Sequence, residues 1–274
     1  MMLKTLENKS VLITGASSGI GFELAKCFVE SGASVVAVAS DMDRLSRAVF
    51  ELQKAAKKMP GAECRVTAID CDLGQPGAAE RLVSKLAGAG HSVDVLVNDA
   101  GFGDGRDFID TPHGILSEMI NTNVLNLTLL TRFLLPGMIE RGEGAILNLA
   151  STASFVPGPH LAVYCATKAF VLSLSQALWR ELAGTGVTVT ALCPGGTDTD
   201  FARVANMQDT LLFRFLVMQP ADVARIGFEA MMKGRRQVTA GNVNRILTAL
   251  VRLSPVRLTL NLTELILRHR ENGK

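Results

Sequence analysis

The ten residues Leu12-Ile13-Thr14-Gly15-Ala16-Ser17-Ser18-Gly19-Ile20-Gly21 limit what this chain can fold into more than any other stretch. An apolar run at residues 11–13 stops at a turn with three glycines. An amphipathic pattern with Ile20, Phe22, Leu24, Ala25 and Phe28 as its apolar positions begins at once. Strand, turn and helix follow one another with no linker. Glycines let a ligand approach the backbone where a Cβ would collide, and the unpaired N–H groups at the helix start face an anion. The spacing is Gly-x3-Gly-x-Gly, without the Gly-Lys-Ser/Thr ending of a nucleoside-triphosphate loop. Alone, it fits an ordinary tight corner as well as a phosphate site.

Five more apolar runs repeat the theme, at residues 33–39, 64–69, 93–97, 144–149 and 187–193. They are short and rich in β-branched or small side chains, as parallel strands covered on both faces are. Helical patterns separate them at residues 41–58, up to about 89, 114–140 and 161–182, with Pro136 expected to kink or end the third. A helix at 221–233 and a short strand near 237–240 follow. This alternation predicts an α/β fold, a doubly wound parallel sheet with right-handed crossovers. Such sheets bind ligands beyond the carboxyl ends of their strands. The glycine turn, Asp72-Leu73, Asn98-Asp99-Ala100-Gly101, Ser151 and Pro194-Gly195-Gly196 all fall there.

Composition narrows the function classes. Hydrophobic residues make up 48% of the 274 and charged residues 20%, enough to bury a large core, and one domain over 1–274 is the expected count. A net charge of +2, from 28 basic and 26 acidic residues, argues against a nucleic-acid surface. The five cysteines have neither CxxC nor zinc-ligand spacing, so free thiols and no metal site are expected. With no secretory h-region and no apolar run of ~18 residues, the expectation is a soluble cytoplasmic protein.

The sharpest local signal is Tyr164-Cys165-Ala166-Thr167-Lys168. Residues four apart share a helix face, so the ammonium can approach the phenol and lower its pKa, making Tyr164 a proton donor or acceptor near neutral pH. The same spacing suits a half-buried tyrosine beside a surface lysine. Ser151, at the end of the fifth strand, is either a substrate-facing hydroxyl or a turn cap. Asn123 falls in mid-helix, where a solvated amide would also be at home.

Together these positions resemble the short-chain dehydrogenase/reductase family over residues 8–240. Thr14-Gly15-Ala16-Ser17-Ser18-Gly19-Ile20-Gly21 is similar to its cofactor turn, Asp72-Leu73 to its adenine-contacting position, and Asn98-Asp99-Ala100-Gly101 to its Asn-Asn-Ala-Gly motif. Pro194-Gly195-Gly196-Thr197-Asp198-Thr199 is similar to its nicotinamide-lining segment. The resemblance implies a Rossmann fold of three α/β/α layers and a catalytic tetrad of Asn123, Ser151, Tyr164 and Lys168. Tyr164 would move the substrate proton, Lys168 would depress its pKa and hold the nicotinamide ribose, Ser151 would hold the substrate oxygen, and Asn123 would anchor a relay water. Asp99 departs from the motif: an ionised Asp accepts but cannot donate, so this turn should be held differently.

The second strand should decide the cofactor. The resemblance puts Ala39 where NAD-using members carry an Asp and Ser40 where NADP-using members often carry an Arg; Ala39 and Ser40 leave room for a 2′-phosphate, which Arg44 would reach and Asp41 would repel. NADP is preferred over NAD by a small margin. Phe102, Phe155, Val156 and the apolar connection at 197–219, with Phe201, predict a hydrophobic pocket for a carbonyl or alcohol beneath a substrate lid. The same residues would also suit packing against one another or a subunit contact. The extension at 241–274 mixes Leu, Ile and Val with Arg; it reads as a helix pair packed on the domain or a partner subunit, in preference to a membrane surface. The resemblance also implies a homodimer or homotetramer joined around Asn123 and Tyr164. Two other readings compete with an oxidoreductase: a catalytically silent cofactor-binding sensor or scaffold, and a peripheral membrane protein.

Overall fold

Every strand among the described residues joins one parallel sheet. The structure, a computed structural model, describes residues 5–57, 65–208, 210 and 217–267. In chain order the strands are β1 Ser10–Thr14, β2 Ser34–Ala39, β3 Val66–Asp70, β4 Val95–Asn98, β5 Gly144–Leu149, β6 Val187–Cys193 and β7 Gln237–Thr239. Their spatial order is β3-β2-β1-β4-β5-β6-β7. The order reverses direction between β1 and β4, which leaves a crevice at their carboxyl ends. Register puts Thr14 opposite Val38 on one side and Asn98 on the other, and Asn98 opposite Asn148. All the predicted site segments therefore leave the sheet at one edge.

Alternation along each strand explains why the sheet must be covered twice. Val11 and Ile13 of β1, with Val35, Val95 and Leu147, point into one core layer. Leu12, with Val36, Leu96 and Ile146, points into the other. The first layer is closed by α1 (Gly19–Glu30), α2 (Met42–Ala56) and a helix at Pro220–Met232, and Phe28 of α1 meets Phe228 edge-on at 5.1 Å. The second is closed by α3 (Ala78–Gly88) and α5 (Leu127–Glu140). Three layers result, as the strand pattern requires.

The long helical stretch differs from expectation. It divides into α4 (His113–Ile120), one wider π-helical turn at Asn121–Asn126, and α5, and Pro136 sits inside α5 without ending it. α6 (Ala162–Glu181) runs beside it. After β6 a single helical turn, α7 (Phe201–Val204), precedes α8 (Pro220–Met232). The expected lid is pinned at its base, where Met218 N–H donates to Gly196 O (2.9 Å) and Asp198 N–H to Met218 O (2.9 Å). Its residues Leu211, Leu212, Phe213, Phe215 and Leu216 lie outside the described residues, as does Cys64.

The extension forms the expected two helices, α9 (Asn242–Leu253) and α10 (Val256–Leu267), with much of their apolar surface turned away from the domain. Asn244, Thr248 and Thr259 turn inward while Ile246, Leu250, Leu253, Leu258 and Leu265 stay exposed. Among the described residues no helix is long and apolar enough to cross a membrane, and no cluster of His, Cys, Asp or Glu could hold a metal.

Candidate active site

The glycine turn is held from behind by Thr14. Its Oγ1 accepts the N–H groups of Asp99 (3.2 Å) and Ala100 (3.1 Å), fastening the end of β1 to the end of β4. Gly15 and Gly19 take φ of +73° and +58°, which L side chains rarely adopt, and a Cβ on Gly21 would lie 2.4 Å from Gly15 O. Gly15, Ser17, Ser18, Gly19 and Ile20 line the cleft, whereas Gly21 is buried behind them. The first turn of α1 carries no acidic side chain, and Ser18 makes no side-chain cap bond. The Gly21 N–H is taken by Asp99, those of Gly19 and Ile20 are left for an anion, and the cradle fits a pyrophosphate.

On the other bank, Ser151 begins a short 3-10 turn, Thr152–Phe155. Its Oγ accepts Ala153 N–H (3.1 Å), and Ser154 Oγ reciprocally accepts Ser151 N–H (3.2 Å) while donating to Lys168 O (2.7 Å). Ser151 is thus the cap of this turn, and it lines the same cleft as Tyr164. Tyr164 is buried, with its ring 5.2 Å from that of Phe201. Lys168 Nζ donates to Leu149 O (2.8 Å) and lies 5.7 Å from the Tyr164 ring centre.

This geometry corrects the expected electrostatics. Burial pushes the Tyr164 phenol above its ordinary range, and the nearby Ser151 hydroxyl opposes this. Burial likewise brings the Lys168 ammonium down to about 8, against the pull of Asp99. Asp99 moves furthest relative to its role. Its carboxyl rises to about 7 through burial, opposed by Lys168 and by the Gly21 N–H it accepts, while its Oδ1 is buried with no partner among the described residues.

Between the banks lies a cleft of about 610 Å³. Ala39, Ser40, Arg44, Asp72 and Leu73 line one end, Ala100, Gly101 and Phe102 the middle, and Pro194, Gly195, Thr197 and Thr199 the facing wall. Asp72 is fixed by Gly74 N–H (2.9 Å) and Gln75 (3.0 Å). Beyond Ser151 and Tyr164 the lining turns apolar with Phe155, Phe201, Met207, Val251 and Leu262. Arg252 stacks over the Phe155 ring at 4.7 Å.

Comparison with known proteins settles the lineage. The family profile of the short chain dehydrogenases matches residues 9–210. The chain belongs to the short-chain dehydrogenase/reductase family. The ketoacyl reductase HetN of Nostoc sp. is 35% identical over 193 residues, which are 70% of this chain and 65% of that protein. The chain thus matches slightly less than two thirds of that relative's length. Among solved structures, a short-chain dehydrogenase from Sphingobium yanoikuyae in complex with NADPH superposes with a TM-score of 0.78 at 28% identity, covering 97% of this chain and 98% of that one. The Brucella melitensis 3-ketoacyl-(acyl-carrier-protein) reductase complexed with NADH gives 0.72 at 30% identity, covering 86% and 99%.

Within this family member, Asn98, Asn123 and Lys168 stand one layer behind the cleft wall. Asn98 Nδ2 donates to Asn148 Oδ1 (2.9 Å), and Asn148 donates to Ser175 Oγ (2.9 Å), a buried chain that binds β4, β5 and α6. Asn123 Nδ2 donates to Phe102 O (2.9 Å) and Thr167 Oγ1 (3.1 Å), and its Oδ1 accepts Phe102 N–H (3.1 Å). Its side chain is a clamp between the β4 loop and α6, not a solvated amide. Sequence reasoning missed the roles of Thr14, Ser154, Asn126 and Asn148. Asn126 holds Ala79 N–H (3.0 Å) and donates to Leu73 O (2.7 Å), supporting the predicted adenine wall. For Thr14, Asn126 and Asn148 the available signal was a polar residue in an apolar run, where burial demands a partner.

Proposed function

We propose that this chain is an NAD(P)-dependent oxidoreductase acting on a hydrophobic carbonyl or alcohol, with Tyr164 as general acid and base. The observation that carries it is that Ser151 and a buried Tyr164 line one cleft at the point where its glycine-lined and apolar parts meet. The cofactor supplies hydride transfer when bound. The turn of Gly15, Ser17, Ser18, Gly19 and Ile20 would hold its pyrophosphate; Asp72 and Leu73 the adenine; and Gly101, Pro194, Gly195, Thr197 and Thr199 the nicotinamide end. Ser151 orients the substrate oxygen, and Tyr164 gives or takes its proton. Lys168 sets a positive charge below that site, and Asn123 fixes the loop that carries Phe102.

Two finer features follow from the same site. Asp41 is engaged as the cap of α2, its Oδ1 accepting Arg44 N–H (2.9 Å), so its carboxylate is occupied. Ser40 and the Arg44 guanidinium, paired with Asp200, remain at the β2 end to receive a 2′-phosphate; this supports NADP over NAD. Homo-oligomerisation through α5 and α6 is supported by the exposed Phe133, Phe170 and Trp179 on them.

Tyr164→Phe tests the central claim. Turnover of an apolar ketone with NADPH should fall by at least about a thousandfold, while NADPH affinity measured by fluorescence changes less than about threefold. Wild-type protein that binds NADPH but reduces nothing across a broad carbonyl panel would point to the sensor reading.

A further inference from the structure

Helices α9 and α10 are built inside out. On α9 the buried side chains are Asn244 and Thr248, whose polar groups bond backward along the helix, to Ala240 O and Asn244 O at 2.8 Å each. The apolar face is turned away from the protein: Ile246 is 61%, Leu250 57% and Leu253 87% exposed. α10 repeats this over most of its length, with Thr259 and Thr263 inward and Leu258, Leu262 and Leu265 outward, and only its last residue, Leu267, packs into the cluster around Tyr164. A helix made to pack on its own domain has the opposite arrangement.

Charge identifies what covers this face. Residues 241–274 hold six basic side chains (Arg245, Arg252, Arg257, Arg268, Arg270, Lys274) against Glu264 and Glu271. That surplus of four positive charges sits in a chain whose net is +2, so the first 240 residues are net negative by two. Two copies meeting through this face would set two cationic segments against each other. An anionic lipid surface complements both the apolar face and the charge. Each helix has 12 residues, about 18 Å, well short of a bilayer core, so the pair lies on the surface and does not span it.

We propose that α9 and α10 dock on an anionic membrane surface and open the cleft toward it, so that an apolar substrate enters from the lipid. Leu247 and Ile266 make the link: both belong to the exposed face, and both line the cleft that contains Tyr164. The docking stands independently; the entry route rests on the oxidoreductase reading above.

The test is co-sedimentation of the full chain with phosphatidylglycerol and with phosphatidylcholine vesicles, alongside the triple variant Ile246→Glu, Leu250→Glu, Leu253→Glu. These exposed positions lie outside the cleft lining, and unchanged NADPH affinity checks that the variant is folded. Wild type should bind the anionic vesicles and be weakened by salt, with the variant at least about tenfold weaker. For a vesicle-borne ketone the variant should lose kcat/KM, and for a water-soluble ketone keep it. Absence of vesicle binding by wild type, or equal binding by the variant, overturns the docking. So does light scattering that shows a wild-type dimer which the triple variant splits without any lipid binding. Retained lipid binding without turnover of any ketone overturns the oxidoreductase reading alone.

Discussion

Asp99 is the residue at which this chain departs from its family, and its surroundings give the departure a measurable sign. Its Oδ1 has no partner among the described residues, its Oδ2 side faces Gly21, and burial lifts its carboxyl from 3.8 to about 7. The unfolded chain loses this proton near pH 4, but the folded chain keeps it until about 7. The folded state therefore binds more protons over that window, and stability falls as pH rises through it. Asp99→Asn removes the ionisation and restores a donor. It should leave stability nearly unchanged at pH 4 and raise it by about 1 kcal/mol or more at pH 8, read from urea midpoints. A gain of the same size at both pH values would show that the charge is not the cause.

At the scale of elements, the π-helical turn at Asn121–Asn126 is what aims the amides. One extra residue in a turn rotates the following side chains relative to α4, and both Asn123 and Asn126 end buried. Asn123 then holds both backbone groups of Phe102 together with Thr167 on α6, so it joins a loop to a helix. Asn123→Ala strands the Phe102 N–H and C=O in a part-buried position. A loss of about 2–3 kcal/mol in chemical denaturation is expected, with kcat reduced more than cofactor affinity if Phe102, which lines the middle of the cleft, meets the substrate as proposed. Asn123→Asp keeps the acceptor and loses the donor, and it should fall between the two. The capping turn after β5 works in the same way: Ser154 ties Ser151 to the backbone of Lys168, so the hydroxyl and the ammonium are positioned by one short element.

Across the whole molecule, the cleft joins the β2 end of the sheet to α9 and α10, and a cofactor lying in it would bridge elements far apart in sequence. Ligand at about a hundred times its Kd stabilises a fold by ~2.7 kcal/mol. NADPH should therefore raise the thermal midpoint more than NADH at equal concentration. Arg44→Ala should remove that difference and leave the NADH shift in place. Equal shifts in the wild type would place the preference elsewhere than Ser40 and Arg44.

The sequence by itself determined the layered α/β fold, because continuous apolar runs between amphipathic helices have few ways to bury both faces. It also determined the glycine cradle, since positive φ and close approach leave a local mark, and the Tyr164–Lys168 pair, whose spacing is helical. Tertiary structure alone decided the rest. Burial at Tyr164 and Asp99 is a sum over elements distant in the chain, so their proton affinities could not be read from neighbours four residues away. Asn98 and Asn148 find each other only through strand register. The direction faced by the apolar stripe of α9 and α10 depends on which side of each helix meets the domain, and a sequence pattern has the same period whichever way the helix is turned.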